Sequence, residues 1–223
     1  MQDIPGPDPL WFFEPFMLRL STPSTDMDPV TVELTNRANK VIALRIPPAY
    51  IAQISQPGEI SQTFITLAVY LPDYLPRFLA DRAGHKTRGE IINGIELRSN
   101  EEIEIDLRAT VPGTVAKSIE WTRSNRINGG TFNDEFDLYY DVFQPPNQAQ
   151  PHSRKEFRYL IPHGRDDLII RCAANVATSE MLGCRMKSER KDLELQVAFS
   201  SKHLDQYTQI RDRILEIVGS FFK

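Results

Sequence analysis

Short apolar runs with a two-residue period fill most of the chain, and the period changes only towards its C-terminus. Val30-Thr31-Val32-Glu33-Leu34 and Ile103-Glu104-Ile105-Asp106-Leu107-Arg108 alternate cleanly, which predicts strands with one apolar and one solvated face. Residues 40–46 are rich in β-branched side chains and stop at Pro47-Pro48, because proline has no N–H to give a ladder. Residues 63–71 read as a long, deeply buried strand that also ends at a proline, followed by a short helix over 77–82. Ile91-Ile92 and Ile95-Glu96-Leu97 flank Asn93-Gly94, a dipeptide that favours a tight hairpin turn. Residues 136–142, 157–161, 168–172 and 193–199 complete the expected strands.

Near the end, Leu204, Tyr207, Ile210, Ile214, Ile217, Val218 and Phe221 recur at helical spacing, with Asp205, Arg211, Asp212, Arg213 and Glu216 between them. That pattern predicts one amphipathic helix of about five turns, capped by Ser201, with its apolar stripe against a sheet. Many strands and one long terminal helix give an α+β fold class: a predominantly antiparallel β-sheet with a long C-terminal amphipathic helix packed on it. Pro5, Gly6, Pro7 and Pro9 make residues 1–9 a flexible lead-in, and 10–223 read as a single α+β domain. Trp11, Phe12, Phe13 and Phe16 then anchor the N-terminal arm on the body, with an exposed docking patch as the alternative.

Composition narrows the function classes. The 223 residues are 41% hydrophobic and 25% charged, enough apolar material for one large core. A formal net charge of −4 gives no general attraction to nucleic acid or to an anionic membrane surface. No apolar run reaches bilayer length, so no membrane insertion is expected. The polar, proline-rich start lacks the basic region of a signal peptide, which fits either a cytosolic protein or one whose targeting segment has been removed.

The two cysteines bear on that choice. Cys172 ends one strand-like run and Cys184 opens the next, with a loop at 173–183 between them. A disulfide at the mouth of that hairpin implies an oxidising compartment, while two buried thiols imply the cytosol. Neither C-x-x-C spacing nor a second pair for a zinc site is present.

The residues supply no recognisable catalytic motif. His85, His152, His163 and His203 are isolated, with no H-E-x-x-H or H-x-H spacing. His163 lies in Pro162-His163-Gly164-Arg165-Asp166-Asp167, which reads as a turn; a hydrolytic role would need a positioned partner. No nucleophile elbow, P-loop or dinucleotide fingerprint occurs, and Gly129-Gly130 reads as a turn. Glu101, Glu102, Glu104 and Asp106 read as solvated positions, as does the basic group Arg185, Lys187, Arg190 and Lys191. No cofactor or metal is expected. Asp134, Glu135, Asp137 and Asp141 interleave with Phe132, Phe136, Tyr139 and Tyr140. Aromatics beside carboxylates suit a protein interface facing a basic partner, which makes Asp137, Tyr139, Tyr140 and Asp141 the candidate partner-binding residues.

The run Lys40-Val41-Ile42-Ala43-Leu44-Arg45-Ile46-Pro47-Pro48-Ala49-Tyr50-Ile51, followed by Leu67-Ala68-Val69-Tyr70-Leu71-Pro72-Asp73-Tyr74-Leu75-Pro76, resembles a group of uncharacterised exported proteobacterial proteins. The C-terminal order of strand, Cys, short loop, Cys, strand and long helix is similar too. Small periplasmic proteins of this kind include immunity proteins that neutralise type VI secretion effectors. The resemblance implies a periplasmic location. The absence of catalytic motifs, the expected disulfide and the acidic-aromatic segment lead to a protein partner, a basic secreted effector bound without chemistry. A periplasmic accessory or small-ligand-binding domain is the rival expectation, and a hydrolase using His163 a third.

Overall fold

A computed structural model describes residues 24–36, 38–54, 61–89, 91–92, 95–96, 99–124, 131–133, 138–143, 155–162, 167–175 and 181–222. Outside them lie the expected lead-in at 1–9, the group Trp11, Phe12, Phe13 and Phe16, the Asn93-Gly94 and Gly129-Gly130 turns, the 144–153 loop, and Asp134, Glu135, Asp137 and His163.

The strands are β1 (Val30–Thr35), β2 (Val41–Ile46), β3 (Ile51–Ile54), β4 (Ser61–Gln62), β5 (Ile65–Tyr70), β6 (Ile91–Ile92), β7 (Ile95–Glu96), β8 (Glu102–Ala109), β9 (Thr131–Asn133), β10 (Leu138–Phe143), β11 (Lys155–Pro162), β12 (Leu168–Asn175), β13 (Met181–Arg190) and β14 (Leu193–Phe199). The helices are α1 (Arg77–Arg82), α2 (Thr114–Ser124) and α3 (Tyr207–Ser220). Nine strands form an antiparallel sheet in the order β3-β5-β8-β14-β13-β12-β11-β10-β9. A three-stranded sheet, β2-β1-β4, stands apart and includes one parallel pairing, β1 with β4. The β6–β7 hairpin pairs Ile92 with Ile95 across the expected turn. The architecture is therefore α+β, sheet-rich and mainly antiparallel, with the C-terminal helix packed on it.

Alternation selects the face that turns inward. Leu107 stands between Ile65 and Leu195 in the ladder, and Ile105 between Leu67 and Val197. These residues form one core with Val32, Leu34, Leu44 and Ile46 of the small sheet and with Ile210, Ile214 and Val218 of α3. Each such side chain, fully buried, contributes about 1.5–3 kcal/mol. The helix thus shares the covered face with a second sheet.

Its start differs from the expected cap. Ser201–Gln206 is a 3-10 turn with a kink at His203 (φ −107°), and the Ser200 hydroxyl accepts from the Lys202 N–H at 3.4 Å. The α-helix proper begins at Tyr207. Its far end is fastened by the turn between β13 and β14. Arg190 donates to the Leu215 carbonyl. A Cβ added at Gly219 would lie 2.6 Å from the Arg190 guanidinium, so a glycine is what lets the arginine lie against the helix. Lys191 sits 4.9 Å over the Phe222 ring, and the Phe221 carbonyl accepts the Arg45 N–H from edge strand β2 at 2.8 Å. Arg190 is therefore a partly buried helix fastener, whereas Lys191 is exposed, as expected, and touches the end of the helix through the Phe222 ring.

The cysteines form a disulfide, placed differently from expectation. β12 runs on to Asn175 and β13 starts at Met181, so the bond lies inside the ladder and not at its mouth. Cys172 pairs directly with Cys184 at a Cα–Cα distance of 4.0 Å, and both are buried in the core.

α2 lies on the opposite face of the large sheet, where Val115 and Ile119 pack on Ile161 and Ile169. Its N-terminus is capped from far away in sequence: the Glu189 carboxylate accepts from the N–H groups of Gly113 (2.8 Å) and Val115 (2.5 Å). A carboxylate at a helix N-terminus satisfies orphan donors and complements the helix dipole. Glu189→Ala is expected to lower stability by about 1–2 kcal/mol in urea unfolding and to raise amide exchange at the start of α2. Unchanged exchange there would mean that the cap does not hold the helix.

Candidate functional site

The second face of the large sheet is polar, and the strand register sets its composition. The residues between the core positions line up in rows across the strands. Thr66 of β5, Asp106 of β8, Gln196 of β14 and Lys187 of β13 form one row. Ala68, Glu104, Ala198 and Arg185 form the next, which continues to Arg171 on β12 and Tyr159 on β11.

Alternation led to the expectation that Glu102, Glu104 and Asp106 are solvated; all three are buried. Buried charge is costly unless it is paired or hydrogen-bonded, and this face meets that condition locally. Thr66 donates to Asp106 at 2.6 Å, and Tyr70 donates to Glu102 at 3.1 Å. Lys187 bridges to Glu194 at 2.8 Å, with side chains only 11% and 9% exposed, and Gln196 donates to the other Glu194 oxygen at 2.7 Å. Lys187 is thus a buried ion-pair member, again unlike the solvated hairpin expected.

A basic end adjoins this network. Arg171 and Arg185 are direct cross-strand partners. Arg171 is 7% exposed, and Arg185 is partly exposed. Burial holds the Arg171 guanidinium below its usual pKa; its hydrogen bond to the Tyr159 hydroxyl opposes that shift, and the neighbouring Arg185 reinforces it. Such a face can bind charged groups by fork-like hydrogen bonding.

The candidate partner-binding residues are only partly placed. Tyr139, Tyr140 and Asp141 lie on β10, one strand in from the β9 edge, and Asp137 lies outside the described residues. Register sets Asp141 opposite Tyr159 and so in the arginine row, while Tyr139 is opposite Ile161. Successive strand positions alternate faces, so position 140 falls on the opposite side of the sheet from 139 and 141. The described histidines tie loops together: His85 meets Asp73 at 3.0 Å, and His203 meets the Asn100 carbonyl at 3.1 Å and Glu101 at 3.5 Å. Among the described residues no group of three or more His, Cys, Asp or Glu could hold a metal ion, and no helix is long and apolar enough to cross a membrane.

No protein-family model matches the chain, and no curated protein matches it. Solved structures do. Smlt3025, an immunity protein of the Stenotrophomonas maltophilia type IV secretion system, superimposes with a TM-score of 0.50 at 16% identity, over 87% of this chain and 93% of that one. The chain shares its fold with a secretion-system immunity protein. The Neisseria meningitidis iron-regulated outer membrane lipoprotein FrpD is a second match, with a TM-score of 0.45 at 14% identity, over 90% of this chain and 95% of that one. At 16% identity the likeness to Smlt3025 is one of fold.

Proposed function

We propose that this chain is a non-enzymatic immunity protein of the periplasm, which neutralises a secreted toxin by binding and occluding it. The observation that carries the reading is the match to Smlt3025 over nearly the full length of both chains. A core disulfide supports it, because such bonds persist in oxidising compartments. The toxin belongs to a type IV system, as for the structural neighbour, or to a type VI system, as the sequence resemblance implies. Occlusion needs only a complementary surface with a few buried anchors, for which we propose Tyr139 and Asp141 on one side of β10 together with Asp137, against a basic partner, position 140 falling on the other side of the sheet.

The test is capture and neutralisation. The oxidised chain is immobilised, exposed to lysate of the source organism with secretion systems induced, and the bound protein is identified and expressed. The expected result is a stoichiometric partner whose toxicity disappears on co-expression with this chain. Asp137→Lys with Asp141→Lys is expected to weaken binding about tenfold or more while leaving the fold intact. A partner that stays toxic in the presence of the chain overturns the function, and full affinity in the double variant overturns the surface.

A further inference from the structure

Arg171 and Arg185 stand directly opposite each other on adjacent strands, on the face turned away from the core. The face is certain because their neighbours Cys172 and Cys184 form the disulfide within the core. Like charges at a direct cross-strand position repel, and side chains there start only about 5 Å apart at Cβ. Nothing described on the protein relieves that repulsion at Arg185. Among the described residues no hydrogen bond or ion pair engages Arg185; its one recorded electrostatic neighbour is Arg171. Among the described residues the acids of this face are committed elsewhere or lie two interstrand spacings away, as Asp141 does from Arg171 across Tyr159. Glu194 binds Lys187 and Gln196, Asp106 accepts from Thr66, and Glu102 accepts from Tyr70. Glu104 shares the row of Arg185, but Ala198 stands between them, which at two interstrand spacings is about 10 Å of backbone separation.

Small residues border Arg185 on three sides, and Lys187 stands two positions on along the strand. Gly183 flanks Arg185 along its strand, Ala198 faces it across β14, and Ala173 lies diagonally on β12, so none of them presents more than a methyl group. On the other side Tyr159 holds Arg171 in place, and α2 covers the adjoining row at Ile161 and Ile169. The disulfide ties the two strands at the residues next to both arginines. Two guanidinium forks on a cross-linked strand pair match the planar, two-oxygen geometry of an oxyanion.

We propose that Arg171 and Arg185 form an oxyanion-binding site that takes a carboxylate or a phosphate group between their guanidinium forks. The site does not depend on the immunity reading, and small-anion binding tests it separately. The oxidised full chain is followed by thermal unfolding at constant ionic strength while chloride is replaced by inorganic phosphate or by acetate, in wild type, Arg185→Gln and the control Lys202→Gln. Phosphate is expected to raise the melting temperature saturably in wild type and in Lys202→Gln, and Arg185→Gln is expected to lose about tenfold or more in phosphate affinity. In chloride alone Arg185→Gln is expected to be no less stable than wild type, because one of two facing like charges is gone. A response to acetate as well as phosphate assigns the site to carboxylates, such as an acidic side chain; a response to phosphate alone assigns it to phosphoryl groups. No saturable rise with either anion, or an undiminished response in Arg185→Gln, overturns the site. So does a loss of stability of Arg185→Gln in chloride, which would reveal a structural arginine.

Discussion

Lys187→Met is expected to destabilise the protein by about 3–5 kcal/mol, far beyond the usual effect of removing a lysine. The reason is location. Lys187 and Glu194 are buried, 2.8 Å apart, on the covered polar face. Removing the cation leaves the Glu194 carboxylate desolvated with Gln196 as its remaining described donor. Glu194→Gln alone removes the carboxylate that stands 2.8 Å from the ammonium, and is expected to cost stability too. The double variant Lys187→Met/Glu194→Gln removes both charges while preserving an acceptor for Gln196, and is expected to recover most of the loss, since a buried pair is often replaceable at little net cost. Urea unfolding of the four proteins measures the coupling directly. Additive effects within about 0.5 kcal/mol would show that the two groups do not depend on each other.

Loss of the disulfide should produce the second largest effect. Cys172 and Cys184 are separated by 12 residues, and cross-linking a loop of that size stabilises by about 3 kcal/mol in the chain-entropy model. Cys172→Ala/Cys184→Ala is expected to melt about 10 °C below wild type. Reductant should lower the wild-type melting temperature towards the same value and leave the variant unchanged. A wild type indifferent to reductant, with no difference from the variant, would argue against the bond.

How much of this was legible depended on whether the cause was local. The strands over β1, β2, β5, β8 and β14 follow from residues that alternate or cluster within a few positions, and α1 and α3 from their own spacing. α2 was not anticipated. Its inward stripe reduces to Val115, Ile119 and Thr122 among serines and threonines, and the carboxylate that caps it is Glu189, on a distant strand. The short β3, β4 and β9 carry too few residues to show a period. The cysteine pairing was legible, but its depth in the ladder was not, because strand length beyond Cys172 depends on β11 and β13 as partners.

The polar face shows the same limit. Alternation on β8 separates Glu102, Glu104 and Asp106 from the leucine and isoleucine positions, but it cannot tell whether the polar side meets water. That is decided by Thr66, Tyr70, Lys187 and Gln196, which only the sheet order brings alongside. The arginine row was hidden for the same reason: Arg171 and Arg185 look unrelated until β12 and β13 are aligned.

The position of the disulfide also divides its hairpin into two parts with different freedom to change. Beyond the bond, towards the hairpin tip, the register shifts between Ala173 and Ala174. Before it, the pairing runs without irregularity from Cys172 to Leu168. A slip of one residue would exchange the faces of every side chain on a strand, but a covalent tie at one pair of positions forbids that slip. Insertions or substitutions in the connection after Asn175 are thus insulated from the ladder below. The connection is a place where a lineage, or an engineer, can vary length and sequence while the arginines keep to one face of the sheet and the core residues to the other.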